Sequence, residues 1–439
     1  MLNRSLGTWL ALVTGLILAL VVAPAFADSH VRIVRLSDVQ GAVEVDRGTG
    51  QGYEKAFLNM PVVQGMKLAA KADGHAEVEF EDGSTVRITP NTKIEFSALA
   101  LQDSGARVST LTLAQGLAYV DYTAKHKDDA FTLTFKNENV SPSQAVHFRV
   151  DLQDANAVLA VFSGELKVDG PSGTVEVSKN KSVTFDLAAD NFTLAKNIEQ
   201  EPFDAWDKQQ AKYQQEYASK GSYQNYPYGY GVSDLNYYGN YSNIPGYGMM
   251  WQPYFAGVGW SPFADGSWMF YPGFGYTWVS AYPWGWMPYR YGAWNFIPGY
   301  GWMWQPGGFG GGWYTVPRVT NPPQRFNPPQ PPQSGTSTVL VGRPVVSSGV
   351  PKSVLVQNGS AGLGVPRGAV NNLAKVSHEV QVNGSATVHT APPMRSGAMS
   401  SPGFGNSGSH VSTGSGHMST GSGRTSGSSG GHTAAPSRH

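Results

Sequence analysis

Thirty-two aromatic rings fall within residues 223–314 (ten Trp, sixteen Tyr, six Phe), accompanied by only three charges, Asp234, Asp265 and Arg290. Rings at this density can do two kinds of work. They can stack on a ligand face, such as a sugar, or they can bury on the order of 150–250 Å² each and build a core. Aliphatic residues are scarce in this stretch, so rings are the available core material, and most are read as core. Three thin layers could not enclose them all, and large exposed aromatic patches mark interaction sites. A minority is therefore expected on a contact face. The candidates for ligand or partner contact are Trp251, Trp260, Trp268, Trp278, Trp284, Trp286, Trp294, Trp302 and Trp304. The contact would be with glycan, another envelope protein or, peripherally, the outer membrane.

Other chemistry is poorly represented. Glu77, Glu79 and Glu81 alternate along one strand and read as a solvated face rather than a cation site. His378, His389, His410, His417, His432 and His439 lie 7 to 21 residues apart, too loosely spaced to assign a metal. The run from Gly427 to Gly431 matches G-x-S-x-G only formally, because a low-complexity tail lacks the strand-turn-helix setting that nucleophile needs. No phosphate loop, dinucleotide fingerprint or H-E-x-x-H occurs. The sequence has no cysteine, which excludes disulfides and thiolate-ligated metals. No catalytic residue, cofactor or metal is expected. Nucleic-acid binding is disfavoured too, since the aromatic stretch holds a single arginine.

Charge and composition divide the chain. Residues 28–217 hold 28 of the 31 acids against 19 Lys and Arg, whereas from Arg318 onward one acid, Glu379, faces nine Lys and Arg. At the start, Arg4 precedes an apolar run over residues 6–23, and Ala25-Phe26-Ala27 offers a cleavage site. That order predicts a signal peptide over 1–27 and export to the periplasm or cell surface.

Residues 28–199 predict an all-β head. Val43 and Val45, Val78 and Phe80, Val86 and Ile88, Ile94 and Phe96 each alternate with polar neighbours. Leu111 and Leu113, Phe131 to Phe135, and Val146 to Val150 continue the period of two. This pattern belongs to sheets with one buried face. In AEVEFEDGSTVRI a three-residue loop, Glu81-Asp82-Gly83, pairs Val78 with Val86 and sets Glu77 opposite Arg87. A two-residue loop would mix charge and core on one face, which register forbids.

These residues resemble the FecR domain of bacterial envelope proteins over about residues 36–187. The resemblance rests on Gly41, Val43, Val45, Gly65, the Asp82-Gly83-Ser84 hairpin, Leu111, Leu113 and Gly116, and continues through AVHFRVDLQDANAVLAVFSGELKVDG. It implies a periplasmic β domain. In better-studied members that domain relays a signal from an outer-membrane transporter to a cytoplasmic sigma factor, using a cytoplasmic tail ahead of a membrane helix. Only a few residues precede the apolar run here, so such a tail is not expected.

Residues 200–220 predict an amphipathic helix whose stripe, Phe203, Trp206, Tyr213 and Tyr217, closes the head. Residues 221–317 repeat. P-G-[YF]-G-x-x-W starts at Pro245, Pro272 and Pro298, giving a period of about 26. Each unit predicts a pair of short strands, and the units a stacked array. Residues 318–439 are rich in Pro, Gly and Ser and predict disorder, with residues 337–357 able to form strands or dock on the body. The expected fold is all-β: a FecR-like sheet domain, one closing helix, short aromatic β-repeats and a disordered C-terminal tail. The expected function is a non-enzymatic exported envelope protein whose head binds or senses a partner. The alternative is a carbohydrate-binding or adhesive protein using exposed aromatics.

Overall fold

Gly116 sits within the longest strand among the described residues, Arg107–Tyr122, with a φ of 85°. A Cβ there would lie 2.5 Å from the Thr92 hydroxyl, so only glycine fits. Residues 107–115 of this strand pair with Lys93–Leu101 and, in parallel, with Ala130–Phe135. Residues 116–122 pair with Thr85–Ile88 and Val146–Leu152. One strand thus serves two sets of partners, and seventeen strands among the described residues form one hydrogen-bonded network. A computed structural model describes residues 32–343 and 352–390; the expected signal peptide and the tail beyond 390 lie outside them.

The alternating apolar residues of the head are buried, from Val43 and Val45 through Leu111 and Leu113 to Phe148 and Val150. The hairpin register is the expected one, with Val78 opposite Val86, Glu77 opposite Arg87, and Phe80 N–H donating to the Ser84 carbonyl at 2.8 Å. Gly83 takes the left-handed position with φ 88°. The expected solvated face is overturned, because Glu77, Glu79 and Glu81 are 0%, 1% and 6% exposed. Alternation identified the two faces of this strand correctly, but later parts of the chain cover the polar one.

The helix Asp204–Tyr217 forms as expected. Its first half packs on the head, where Trp206 meets His75 at 4.8 Å between ring centroids. Its second half packs on the short helix Val232–Tyr238, where Tyr213 and Tyr217 meet Tyr237 at 5.5 and 4.9 Å. The helix joins two regions rather than closing one.

Each P-G-[YF]-G phrase is the turn of a hairpin: Gly239–Ile244 with Gly248–Pro253, Gly266–Tyr271 with Gly275–Ser280, and Ala293–Ile297 with Gly301–Gln305. Proline presets the first turn position, and Gly246, Gly273 and Gly299 supply φ of 80°, 82° and 85° at the second, which is a type II turn. The motif's tryptophan then lies over a glycine at the start of the opposite strand or, in the third hairpin, just before it. Cβ atoms at Gly239 and Gly266 would stand 2.3 and 2.4 Å from the rings of Trp251 and Trp278, and one at Gly292 would stand 2.7 Å from the Trp304 indole nitrogen. The repeat therefore encodes a ring and its seat together.

The units do not stack in series. The first and third hairpins join through Trp251 opposite Trp304 into a five-stranded sheet, while the second pairs with the tail strand Val339–Val341. Part of the segment expected to be disordered is also folded: Ser353–Gln357 pairs with Ser385–His389, and Leu373–Asn383 is a helix capped by the Asn372 side chain. Its own composition could not drive this. Val356, Val370, Leu373 and Val380 bury against the body. Polar tips of rings in the aromatic repeat module, residues 221–317, bind the segment's backbone, with Trp284 Nε1, Tyr238 Oη and Tyr237 Oη donating to the carbonyls of Ala361, Val365 and Val370 at 2.7, 2.9 and 3.1 Å.

Candidate functional site

All nine tryptophans singled out from the sequence are 6% exposed or less, and seven of them are 1% or less. They form core and present no stacking face, which corrects the expected contact role. The premise of three thin layers fails because both faces of the hairpins are covered. The head reaches the second hairpin through Asn59, which donates to the Ser280 and Tyr282 carbonyls at 3.1 and 2.7 Å, and Tyr271 Oη reaches back to the Pro61 carbonyl at 2.9 Å. Tyr300, 52% exposed, is the one large aromatic of the module that stands in solvent among the described residues.

What gathers instead is charge. Arg35, on the strand Val34–Gln40, is 0% exposed; its Nη1 lies 3.2 Å from Glu79 and 2.5 Å from Asp234, and its Nη2 donates to the Pro283 carbonyl at 2.8 Å. Arg367 comes from the tail segment. It bonds Glu77 at 2.7 Å, Asp234 at 3.0 Å and the Ser37 carbonyl at 2.8 Å, with its guanidinium 5.1 Å from the Tyr213 ring centre. Arg87 links Glu77 at 2.7 Å to Asp207 of the joining helix at 2.8 Å, and His147 approaches the other Asp207 oxygen at 2.8 Å. Tyr213 Oη donates to Asp234 at 2.8 Å. At the rim, Arg32 grips Glu81 with two bonds of 2.9 and 2.7 Å. Head, joining helix, module and tail all meet here.

Burial and neighbours push the two central glutamates apart. Burial would raise Glu77, but Arg87 and Arg367 outweigh it and hold its carboxyl down at about 2. Burial raises Glu79, Arg35 opposes, and the Asp234 charge adds to the rise, leaving it at about 7. The module's lone cation is different again. Among the described residues Arg290 has no acid beside it; its Nη2 donates to the Trp278 carbonyl at 2.7 Å, and burial lowers it to about 10. These arrangements hold parts together. No group of three metal-ligating side chains converges among the described residues.

The sequence reading passed over Arg35, Asp234 and Arg367. A usable signal existed for Asp234, since a charge in a stretch with two others must find either solvent or a partner. Its partners lie 199 residues before it and 133 after, which no local pattern reveals.

An open groove of about 230 Å³ lies between the first hairpin and the tail helix. Asn240, Ser242, Gln252, Tyr254, His378 and Gln381 contribute to its lining.

No helix among the described residues is long and apolar enough to cross a membrane. No curated protein matches the chain. Two solved structures of a "putative anti-sigma factor" from Parabacteroides distasonis ATCC 8503 are 15% and 17% identical to it, with a TM-score of 0.27 each. They cover 31% and 32% of this chain, which in turn spans 63% of theirs. The FecR protein family matches residues 66–167, inside the stretch recognised from motifs, and a family of unknown function, DUF6600, matches residues 232–324. The chain thus carries a FecR domain at residues 66–167 and, separate from it in sequence, a DUF6600 region at residues 232–324.

Proposed function

We propose that this is a non-enzymatic envelope protein of the sensing or regulatory kind, exported to the periplasm or cell surface, whose β head, containing the FecR domain, binds a protein partner. The observation that carries this reading is the junction itself. The head's charged face is spent on Arg35, Arg367 and the module, so the DUF6600 region and tail act as a built-in support. The partner then meets the remaining surface of the head, including the strand Asn191–Ala195, which pairs on one side with Lys181–Asp186 and carries Leu194 at 51% exposure. Site-specific photo-crosslinking from position 194 in the full chain, in its native cell, tests this. One discrete crosslinked protein is expected, together with altered transcription on deletion of the gene. Absence of both overturns the reading.

The second reading, glycan binding, draws on the groove beside Tyr254. Its lining combines amides and hydroxyls with the half-buried Tyr254 ring, the buried Phe255 ring and the His378 imidazole, and no carboxylate or Lys/Arg, which suits a saccharide without charge. Retention of the full chain on insoluble polysaccharide, lost in Tyr254→Ala, is its expected result.

A further inference from the structure

Four buried carboxylates, Glu77, Glu79, Asp207 and Asp234, meet three buried guanidiniums, Arg35, Arg87 and Arg367, and all seven side chains are 10% exposed or less. Water cannot screen the imbalance, and an unpaired buried carboxylate costs far more than a protonated one. The cluster therefore favours one extra proton. Glu77 has Arg87 and Arg367; Asp234 has Arg35 and Arg367; Asp207 has Arg87, with His147, a cation only when protonated and so left out of this balance, 2.8 Å from its other oxygen. Glu79 has only a share of Arg35, whose same nitrogen lies closer to Asp234, at 2.5 Å against 3.2 Å. Its other partner is the Gly231 N–H at 3.0 Å, at the entry to the module.

We propose that this cluster is a proton-operated clasp: with the odd proton bound it holds head, module and tail together, and loss of that proton loosens the junction. The groups facing Glu79 are Arg35 from the first strand, Asp234 from the module, Arg367 from the tail and Glu77 from its own strand. Held at about 7 when closed, against an ordinary value of 4.5, Glu79 binds its proton more tightly closed than open. The clasp is thus tightest near its ordinary value, weakens as pH rises towards about 7, and levels off beyond. Asp38, half-buried near Arg367 and raised by burial, acts in the same direction. Glu77, held at about 2, weakens the clasp only as pH falls below its ordinary 4.5. Outside the cytoplasm the surroundings set the pH, so on the export reading the junction senses them, whether or not the head binds the partner proposed above.

The test is hydrogen exchange in the full chain, corrected for intrinsic rates, over residues 231–238 and 361–370 between about pH 5 and pH 8. Protection in the native protein is expected to fall roughly ten- to a hundredfold across that range, since each unit of differential pKa is worth tenfold. Glu79→Gln is expected to remove most of the slope, leaving only the part Asp38 contributes, and His147→Gln to leave the native slope. A flat native profile, an unchanged slope in Glu79→Gln, or a slope abolished by His147→Gln each overturns the clasp. If Glu79→Gln does not fold, Asp234→Asn serves: with the like charge gone the loosening shifts to lower pH, and an unmoved midpoint overturns the proposal.

Discussion

Head and module are both built from short antiparallel hairpins, and they bury them differently. In the head, aliphatic residues such as Val78, Val86, Leu111 and Val150 line one face, and an apolar interior forms at each second position. In the module, both faces are interior: Trp268 and Trp278 sit on one side of the second hairpin, while Ser267, Met269 and Thr277 on the other are 0% exposed as well. A period-two pattern serves the first arrangement. The second needs large rings to span the space and glycines to seat them, which is why its period is the 26-residue spacing of Pro, Gly and Trp. The lesson is that alternation specifies a sheet's faces, while the partner that covers each face is chosen elsewhere in the chain.

The difference can be tested by deletion of core material. Trp278→Ala removes a fully buried ring over Gly266 and is expected to cost about 3–5 kcal/mol, at the upper end of what Leu111→Ala costs in the head, by denaturant unfolding of the full chain. Equal costs would mean that the ring core is no more demanding than the aliphatic one.

Arg367→Ala leaves Glu77 and Asp234 short of a partner and is expected to cost about 3 kcal/mol. Proteolysis should then release the segment around residues 353–389 before the head, whereas simultaneous cleavage would show that the junction is not what holds the tail. Glu77 sharpens the same point through pH. Its carboxyl is held at about 2, below its ordinary 4.5, so its contribution is complete above 4.5 and is lost as pH falls towards 2. Thermal melts should show acid destabilisation that Glu77→Gln removes.

Gly266→Ala places a Cβ 2.4 Å from the Trp278 ring and is expected to cost about 1–3 kcal/mol by overpacking, whereas Gly259→Ala, in open space, should cost under about 1 kcal/mol. Tyr300→Ala, at an exposed turn, should change stability by no more than about 0.5 kcal/mol. A large loss there would reveal a packing role that its exposure does not suggest.

The sequence by itself determined the local structure. Alternation placed the head's strands, Asp82-Gly83 set a hairpin register, and P-G-[YF]-G specified three turns, because each of these depends on neighbours a few residues apart. The FecR motifs were legible for the same reason: Gly41 and Gly116 occupy positions with φ of 66° and 85° where a side chain would collide. Only the tertiary structure decided which faces are covered. It turned Glu77, Glu79 and Glu81 from surface acids into buried ones, moved nine tryptophans from candidate contacts to core, and folded a Gly-rich segment that could not have ordered alone. The reason is physical: burial and ion pairing depend on what lies opposite in space, and Arg367 lies 290 residues along the chain from the Glu77 it neutralises.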